Sequence, residues 1–163
     1  MPSDAAAVYA VNTAAFNGTD EVKLIQDLHA QCDELISLVA VEGDTIIGHI
    51  LFSPLTIHDE ARITPAMSLA PLAVLPAYQK MGVGSQLISA GLEACRAAGH
   101  SIVIVLGHPG YYPRFGFQPA SRFNIHWDHE APDEAFMVVG LQPDALQEVK
   151  GTARFHPAFD QFS

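Results

Sequence analysis

Leu72-Ala73-Val74-Leu75-Pro76-Ala77-Tyr78-Gln79-Lys80-Met81-Gly82-Val83-Gly84-Ser85 is the stretch on which the fold turns. It overlaps an apolar run at 67–75 (MSLAPLAVL) that reads as a strand containing Pro71. It leads into a helical pattern from about 82 to 98, with Val83, Leu87, Ile88, Leu92 and Cys95 on one side and Gly99 as its stop. A strand thus passes into a helix through a loop holding two glycines. Consecutive amides at a helix N-terminus make an anion site, and glycines let a phosphate approach the backbone. Two known phosphate loops do not fit. A Walker loop needs Gly-Lys-Ser/Thr at its end, and Gly84-Ser85-Gln86 stands here. A dinucleotide fingerprint needs Gly or Ala where Leu87 stands, and it needs its glycines directly behind the strand, whereas residues 76–80 intervene.

Outward from this loop, the chain alternates helix and strand. Apolar periodicity predicts a first helix with Val8, Val11, Ala15 and Phe16 inward, capped by Ser3 or Asp4 and ended by Asn17-Gly18. A second helix, about 20–33, carries Val22, Ile25 and Leu28. Segments 36–42 (ISLVAVE) and 45–57 (TIIGHILFSPLTI) flank Gly43-Asp44 as a hairpin. Segment 101–106 (SIVIVL) reads as a strand buried on both faces, 109–115 (PGYYPRF) as a short turn or helix, and 135–141 (AFMVVGL) as another strand. Helices, a hairpin, then strand–helix–strand is an α/β (α+β) plan with a mixed sheet, and the 67–106 crossover makes its two strands parallel.

The chain has 163 residues, 49% of them hydrophobic, which excludes a disordered tail and fits one domain over 1–163. The net charge of −10 argues against nucleic acid and anionic membrane as partners. The charge is uneven. Residues 1–66 hold Lys23 and Arg62 against ten acids, a net of −8. Residues 67–125 hold Lys80, Arg96, Arg114 and Arg122 against Glu93, a net of +3, and residues 126–163 carry −5. A basic centre in an acidic frame suits an anionic ligand beside a cationic one, or simply a soluble surface. Cys32 and Cys95 read as buried thiols of a reducing compartment. With no signal peptide and no apolar run of membrane-spanning length, the expectation is a cytoplasmic protein. His126-Trp127-Asp128-His129-Glu130 has no partner cluster and reads as a loop, so no metal is expected. A G-x-S-x-G nucleophile elbow is absent.

The L-A-V-x-P strand followed by Gln79-x-x-Gly82-x-Gly84 resembles the GCN5-related N-acetyltransferase (GNAT) family. A second segment, His108-Pro109-Gly110-Tyr111-Tyr112-Pro113-Arg114-Phe115-Gly116-Phe117, has a tyrosine four residues before a Gly-Phe pair, as the family does. Phe136-Met137-Val138, Leu141-Gln142-Pro143 and His156-Pro157-Ala158-Phe159 extend the resemblance over nearly the whole chain, toward a bacterial branch of predicted acetyltransferases. Family members open with a strand, often carrying Ile-Arg, before an Asp-Ala-x-x-Val helix. This chain begins at Met1-Pro2-Ser3-Asp4, inside that pattern. The expectation is a sheet whose first strand is missing or truncated, with an exposed edge beside 36–42.

The resemblance implies a mixed central sheet with two parallel strands splayed to hold acetyl-CoA. Pro71 suits a strand position where no ladder bond is required, or a simple bulge. By family position, the amides of Leu72, Ala73 and Val74 would bond the pantetheine and polarise the thioester. Gln79 belongs to the same loop, and the amides of Lys80, Met81, Gly82, Val83, Gly84 and Ser85 would hold the pyrophosphate. Tyr112 would protonate the leaving thiolate as general acid, with Tyr111 a competitor turned away. No motif fixes a base: His49, Glu42, His58 and Asp59 are candidates, a water relay is an alternative, and His108 lies near the expected thioester. The implied function is acetyl transfer from acetyl-CoA to a small-molecule, peptide or protein amine, with a cationic acceptor favoured and a homodimer as the family-level assembly. The rival is a catalytically silent acyl-CoA-binding or regulatory module on the same fold.

Overall fold

A computed structural model describes residues 5–32, 34–147 and 149–162. The expected caps Ser3 and Asp4 lie outside the described residues. Helices α1 (Ala5–Phe16) and α2 (Asp20–Gln31) precede the hairpin of β1 (Ile36–Glu42) and β2 (Thr45–His58). Strand β3 (Ile63–Val74) leads through a 3-10 turn to α3 (Val83–Ala97) and β4 (Ile102–Leu106). Short strands β5 (Gln118–Pro119) and β6 (Ile125–Trp127) follow, then β7 (Phe136–Gly140) and β8 (Gly151–Arg154).

The strands form one mixed sheet in the order β5-β7-β4-β3-β2-β8-β6, with β1 paired to β2. Strand β2 pairs β3 along one edge and β1, then β8, along the other. Among the described residues no strand pairs the outer edge of β1. Side-chain alternation builds a layer on each face. Ile50, Phe52, Val103 and Val105 face α3, whose Leu87, Ile88, Leu92 and Cys95 complete that layer. Leu51 faces Val8 of α1 and Leu24, Ile25 and Leu28 of α2. Ile102, Ile104, Leu55 and Ile57 meet Phe136 and Ile125 beyond them. The unbroken apolar run of β4 thus serves two layers.

The expected apolar faces need two corrections. On α1 the buried residues are Val8, Val11 and Asn12, while Phe16 is 42% exposed at the helix end. On α2, Leu24 takes the buried position expected of Val22. Cys95 is buried, but Cys32 is only half-buried. The strand around 67–75 begins earlier, at Ile63. Strands β5, β6 and β8 were not legible, being too short to show alternation.

Parallel pairing of β3 with β4 is confined to Met67↔Val103 and Ser68↔Ile104, although β3 continues to Val74 and β4 to Leu106. Just beyond, β3 bulges against β2: the register passes from Phe52↔Leu69 to Ile50↔Leu72, so Ala70 and Pro71 together face Leu51. A bulge bends its strand and absorbs a residue with no N–H. The two strands therefore part, and a gap opens between them.

Gly91 fixes how closely α3 lies on the sheet. A Cβ there would fall 2.3 Å from Cε2 of Phe52, a fully buried ring. We expect Gly91→Ala to destabilise the fold by about 1–3 kcal/mol through overpacking, read as a lower urea midpoint. An unchanged midpoint would mean that α3 is not seated on Phe52.

Candidate active site

The β3–β4 gap opens into a cavity of about 460 Å³. Its lining includes Leu69, Ala70, Pro71 and Leu72 from β3 and the segment Val105–His108 at the end of β4, with Tyr111 and Tyr112 beyond. Phe16, Glu21, Leu24 and Phe159 close it from the opposite face of the sheet. The cavity thus passes through the sheet, from the α3 face to the face covered by α1 and α2. A second cavity, about 640 Å³, shares Leu106, Gly107 and His108 with it and reaches Trp127, His129 and Glu130.

Backbone direction decides which β3 amides face the gap. The Leu75 amide donates to Ile47 O at 2.8 Å. Antiparallel strands alternate donors, so Ala73, paired with His49, also turns its amide toward β2. The Leu72 and Val74 amides then face the gap. Of the three amides expected there, those of Leu72 and Val74 point into the gap and that of Ala73 points to β2.

The loop after β3 is built from unusual torsions. Pro76–Tyr78 form a 3-10 turn, Lys80 has φ 65° and Gly82 has φ 87°. Left-handed residues among right-handed ones curl successive amides into an anion-binding concavity. The first helical bond of α3 runs from the Gln86 amide to Gly82 O, leaving the amides of Val83, Gly84 and Ser85 without intrahelical partners. Gln79 does not reach outward: its Nε2 donates to Val74 O at 3.0 Å and braces the loop against its own strand.

The tyrosine pair meets this loop. Tyr111 is not turned away. Its hydroxyl lies 3.0 Å from Ser85 Oγ, and a Cβ at Gly84 would come within 3.2 Å of that oxygen. The Arg114 guanidinium stands 5.1 Å from the centre of its ring. Tyr112 is buried, in edge contact with Tyr111 and Phe117. Its ring packs on Gly107, where a Cβ would sit 2.3 Å from Cε2. Burial first, and then Tyr111, pushes its phenol pKa up to about 12.

A family model described as an acetyltransferase (GNAT) domain matches residues 2–120. An Escherichia coli K12 protein called uncharacterized N-acetyltransferase YhbS is 32% identical over 99% of this chain and 96% of its own. The chain belongs to the GNAT acetyltransferase family. The crystal structure of YhbS from Escherichia coli in complex with CoA superposes with a TM-score of 0.91 at 31% identity, covering 100% of this chain and 90% of that one. A GNAT acetyltransferase from Brucella melitensis in complex with acetyl-CoA gives 0.76 at 34% identity, over 98% and 94%.

In this GNAT chain His49, Glu42, His58 and Asp59, the base candidates read from sequence, do not line the β3–β4 cavity. His49 is fully buried between α1 and the hairpin. Asn12 Nδ2 donates to Val8 O at 2.9 Å and to His49 Nδ1 at 3.2 Å, so His49 Nε2 carries the proton and donates to Ser37 Oγ at 3.0 Å. Burial, then the nearby His29, lowers its pKa to about 4. His49 is a neutral structural residue, and Asn12 is the buried partner that the periodicity of α1 conceals. Glu42 is exposed beside the hairpin turn. His58 bonds Thr56 Oγ1 at 2.7 Å. Asp59 accepts the amides of Ala61 and Arg62, which hold its pKa below the ordinary value. His108 does line the cavity, and Glu21, which no motif marks, lines it from α2.

His49 gives a pH signature. An unfolded histidine titrates near 6.5, so between about pH 6.5 and 4 the unfolded chain binds more protons than the folded one. We predict that stability falls as pH drops through this window, by on the order of 3 kcal/mol from this group alone, with no contribution above 6.5. Urea unfolding at pH 7 and 4.5 should show a smaller pH effect in His49→Gln than in wild type. Equal effects in the two proteins would contradict the assignment.

Proposed function

We propose that this GNAT enzyme transfers the acetyl group of acetyl-CoA to a primary amine of a small molecule, peptide or protein by direct attack. The observation that carries the reading is the two-rung β3–β4 ladder, opening into a cavity that holds Tyr112 and lies beside the curled loop heading α3. The CoA and acetyl-CoA complexes of the similar YhbS and Brucella melitensis proteins support acetyl-CoA as the donor.

In this reading the amides of Leu72 and Val74 bond the pantetheine and polarise the thioester carbonyl. The amides from Lys80 to Ser85 hold the pyrophosphate, with Gln79 keeping their loop in shape. Lys80 and Arg114 add positive charge on that side. Tyr112 serves the leaving sulfur. With a pKa near 12 its phenol keeps its proton at neutral pH and donates it to the thiolate as the carbon–sulfur bond breaks. The acceptor amine is cationic, in keeping with the −8 of residues 1–66, which supply α1 and α2 to the far wall of the cavity. A cytoplasmic setting and homodimeric assembly belong to the same reading.

Tyr112→Phe tests it. Acetyl-CoA affinity by calorimetry should stay near wild type, while turnover falls about 100-fold, the scale of a lost general acid. Because the phenol titrates near 12, wild-type turnover should show no loss attributable to it between pH 8 and 10. Unchanged turnover in Tyr112→Phe would remove this residue from the mechanism. A wild-type protein that binds acetyl-CoA but transfers to no amine in a broad panel would instead be a binding module.

A further inference from the structure

Helix α2 carries a carboxylate where its pattern calls for an apolar residue. Its buried positions are Leu24, Ile25 and Leu28. Stepping back one turn along that stripe gives Glu21, three residues before Leu24 and four before Ile25. Glu21 is half-buried and lines the cavity that holds Tyr112. The burial of Leu24, Ile25 and Leu28 against Leu51 fixes the rotation of α2, so the carboxylate sits on a rigid element.

Among the described residues lining that cavity, Glu21 is the only carboxylate. The other ionisable side chains there are His108, Tyr111 and Tyr112, all from the opposite wall. Tyr111 is engaged with Ser85. The neighbours of Glu21 on its own wall, Phe16, Leu24 and Phe159, are apolar. A half-buried carboxylate among apolar groups attracts a cation more strongly than one on the open surface, because water screens it less.

We infer that Glu21 selects the acceptor by its charge: its carboxylate binds the ammonium of a cationic amine beside the acetyl group and takes, through water, the proton that the amine must lose. This rests on the acetyl-transfer reading above. Alkyl ammonium groups titrate near 10, so the nucleophile arrives protonated and must be discharged. In the step, the freed nitrogen lone pair forms the C–N bond and the C–S bond breaks. The sulfur leaves with the Tyr112 proton, the second nitrogen proton passes to solvent without Glu21 and restores the phenol, and the first proton leaves Glu21 for solvent. The balance is one ammonium and one thioester in, one amide, one thiol and one proton out.

The experiment compares two small nucleophiles, propylamine, which is cationic at pH 7, and acetohydrazide, which is neutral there and needs no discharge. Wild type, Glu21→Gln and Glu21→Asp are assayed for thiol release, with acetyl-CoA affinity and thermal midpoint measured for each. Glu21→Gln should lose about 100-fold in kcat/KM for propylamine and stay near wild type for acetohydrazide and for acetyl-CoA binding. Its propylamine rate should climb with pH as neutral amine accumulates. Glu21→Asp should keep the preference for the cation. Equal losses on both nucleophiles, or none on either, would overturn the role of Glu21 and leave the transferase reading standing. A wild type that binds acetyl-CoA yet acetylates neither would overturn both.

Discussion

Strands β3 and β4 share two rungs and then part, and the rest of the molecule is arranged around that parting. A strand that loses its neighbour keeps its obligatory donors and acceptors, which must be satisfied by something else. Here the bulge at Ala70-Pro71 turns β3 aside within the sheet, and β2 holds its other edge in register down to Gly48↔Val74. The amides of Leu72 and Val74 are thereby fixed in direction before any ligand arrives. Such preorganisation is what makes backbone donors effective toward developing negative charge, since they need no reorientation as that charge forms.

Two further braces keep the gap and its surroundings in one arrangement. Gln79 ties the loop to Val74 O, the last carbonyl of β3. Tyr111 ties the segment after β4 to Ser85 in the first turn of α3. The loop at one end of the gap and the tyrosine pair at the other are therefore linked across it. Gly84 and Gly107 are the small residues that allow this, because a Cβ at either position would press on Tyr111 or Tyr112. Glycine at 84 thus serves the approach of a tyrosine, beside the phosphate approach proposed for its loop.

The sequence made the strand–loop–helix unit readable because its signals are local: an apolar run, a proline, two glycines and a helical stripe within thirty residues. The hairpin and β4 were readable for the same reason. What escaped it depends on distant partners. Strand β8 is four residues long and exists because Gly151, at φ 127°, lets the chain pass against His58, where a Cβ would lie 2.1 Å from the carbonyl oxygen. The pairing of Asn12 with His49 spans 37 positions and turned a candidate base into a buried brace. The Ala73 amide differs from those of Leu72 and Val74 only through its pairing to β2. Glu21 carries a signal that could have been found, a carboxylate on the apolar stripe of α2, but its place opposite Tyr112 is visible only in three dimensions.

Residue-resolved amide hydrogen exchange, with and without acetyl-CoA, reads the gap directly. The Ala73 amide should already be slow in the free protein, through its pairing to β2, and the Leu72 and Val74 amides should become slow only when acetyl-CoA binds. Acetyl-CoA binding that leaves Leu72 and Val74 unchanged would contradict this assignment.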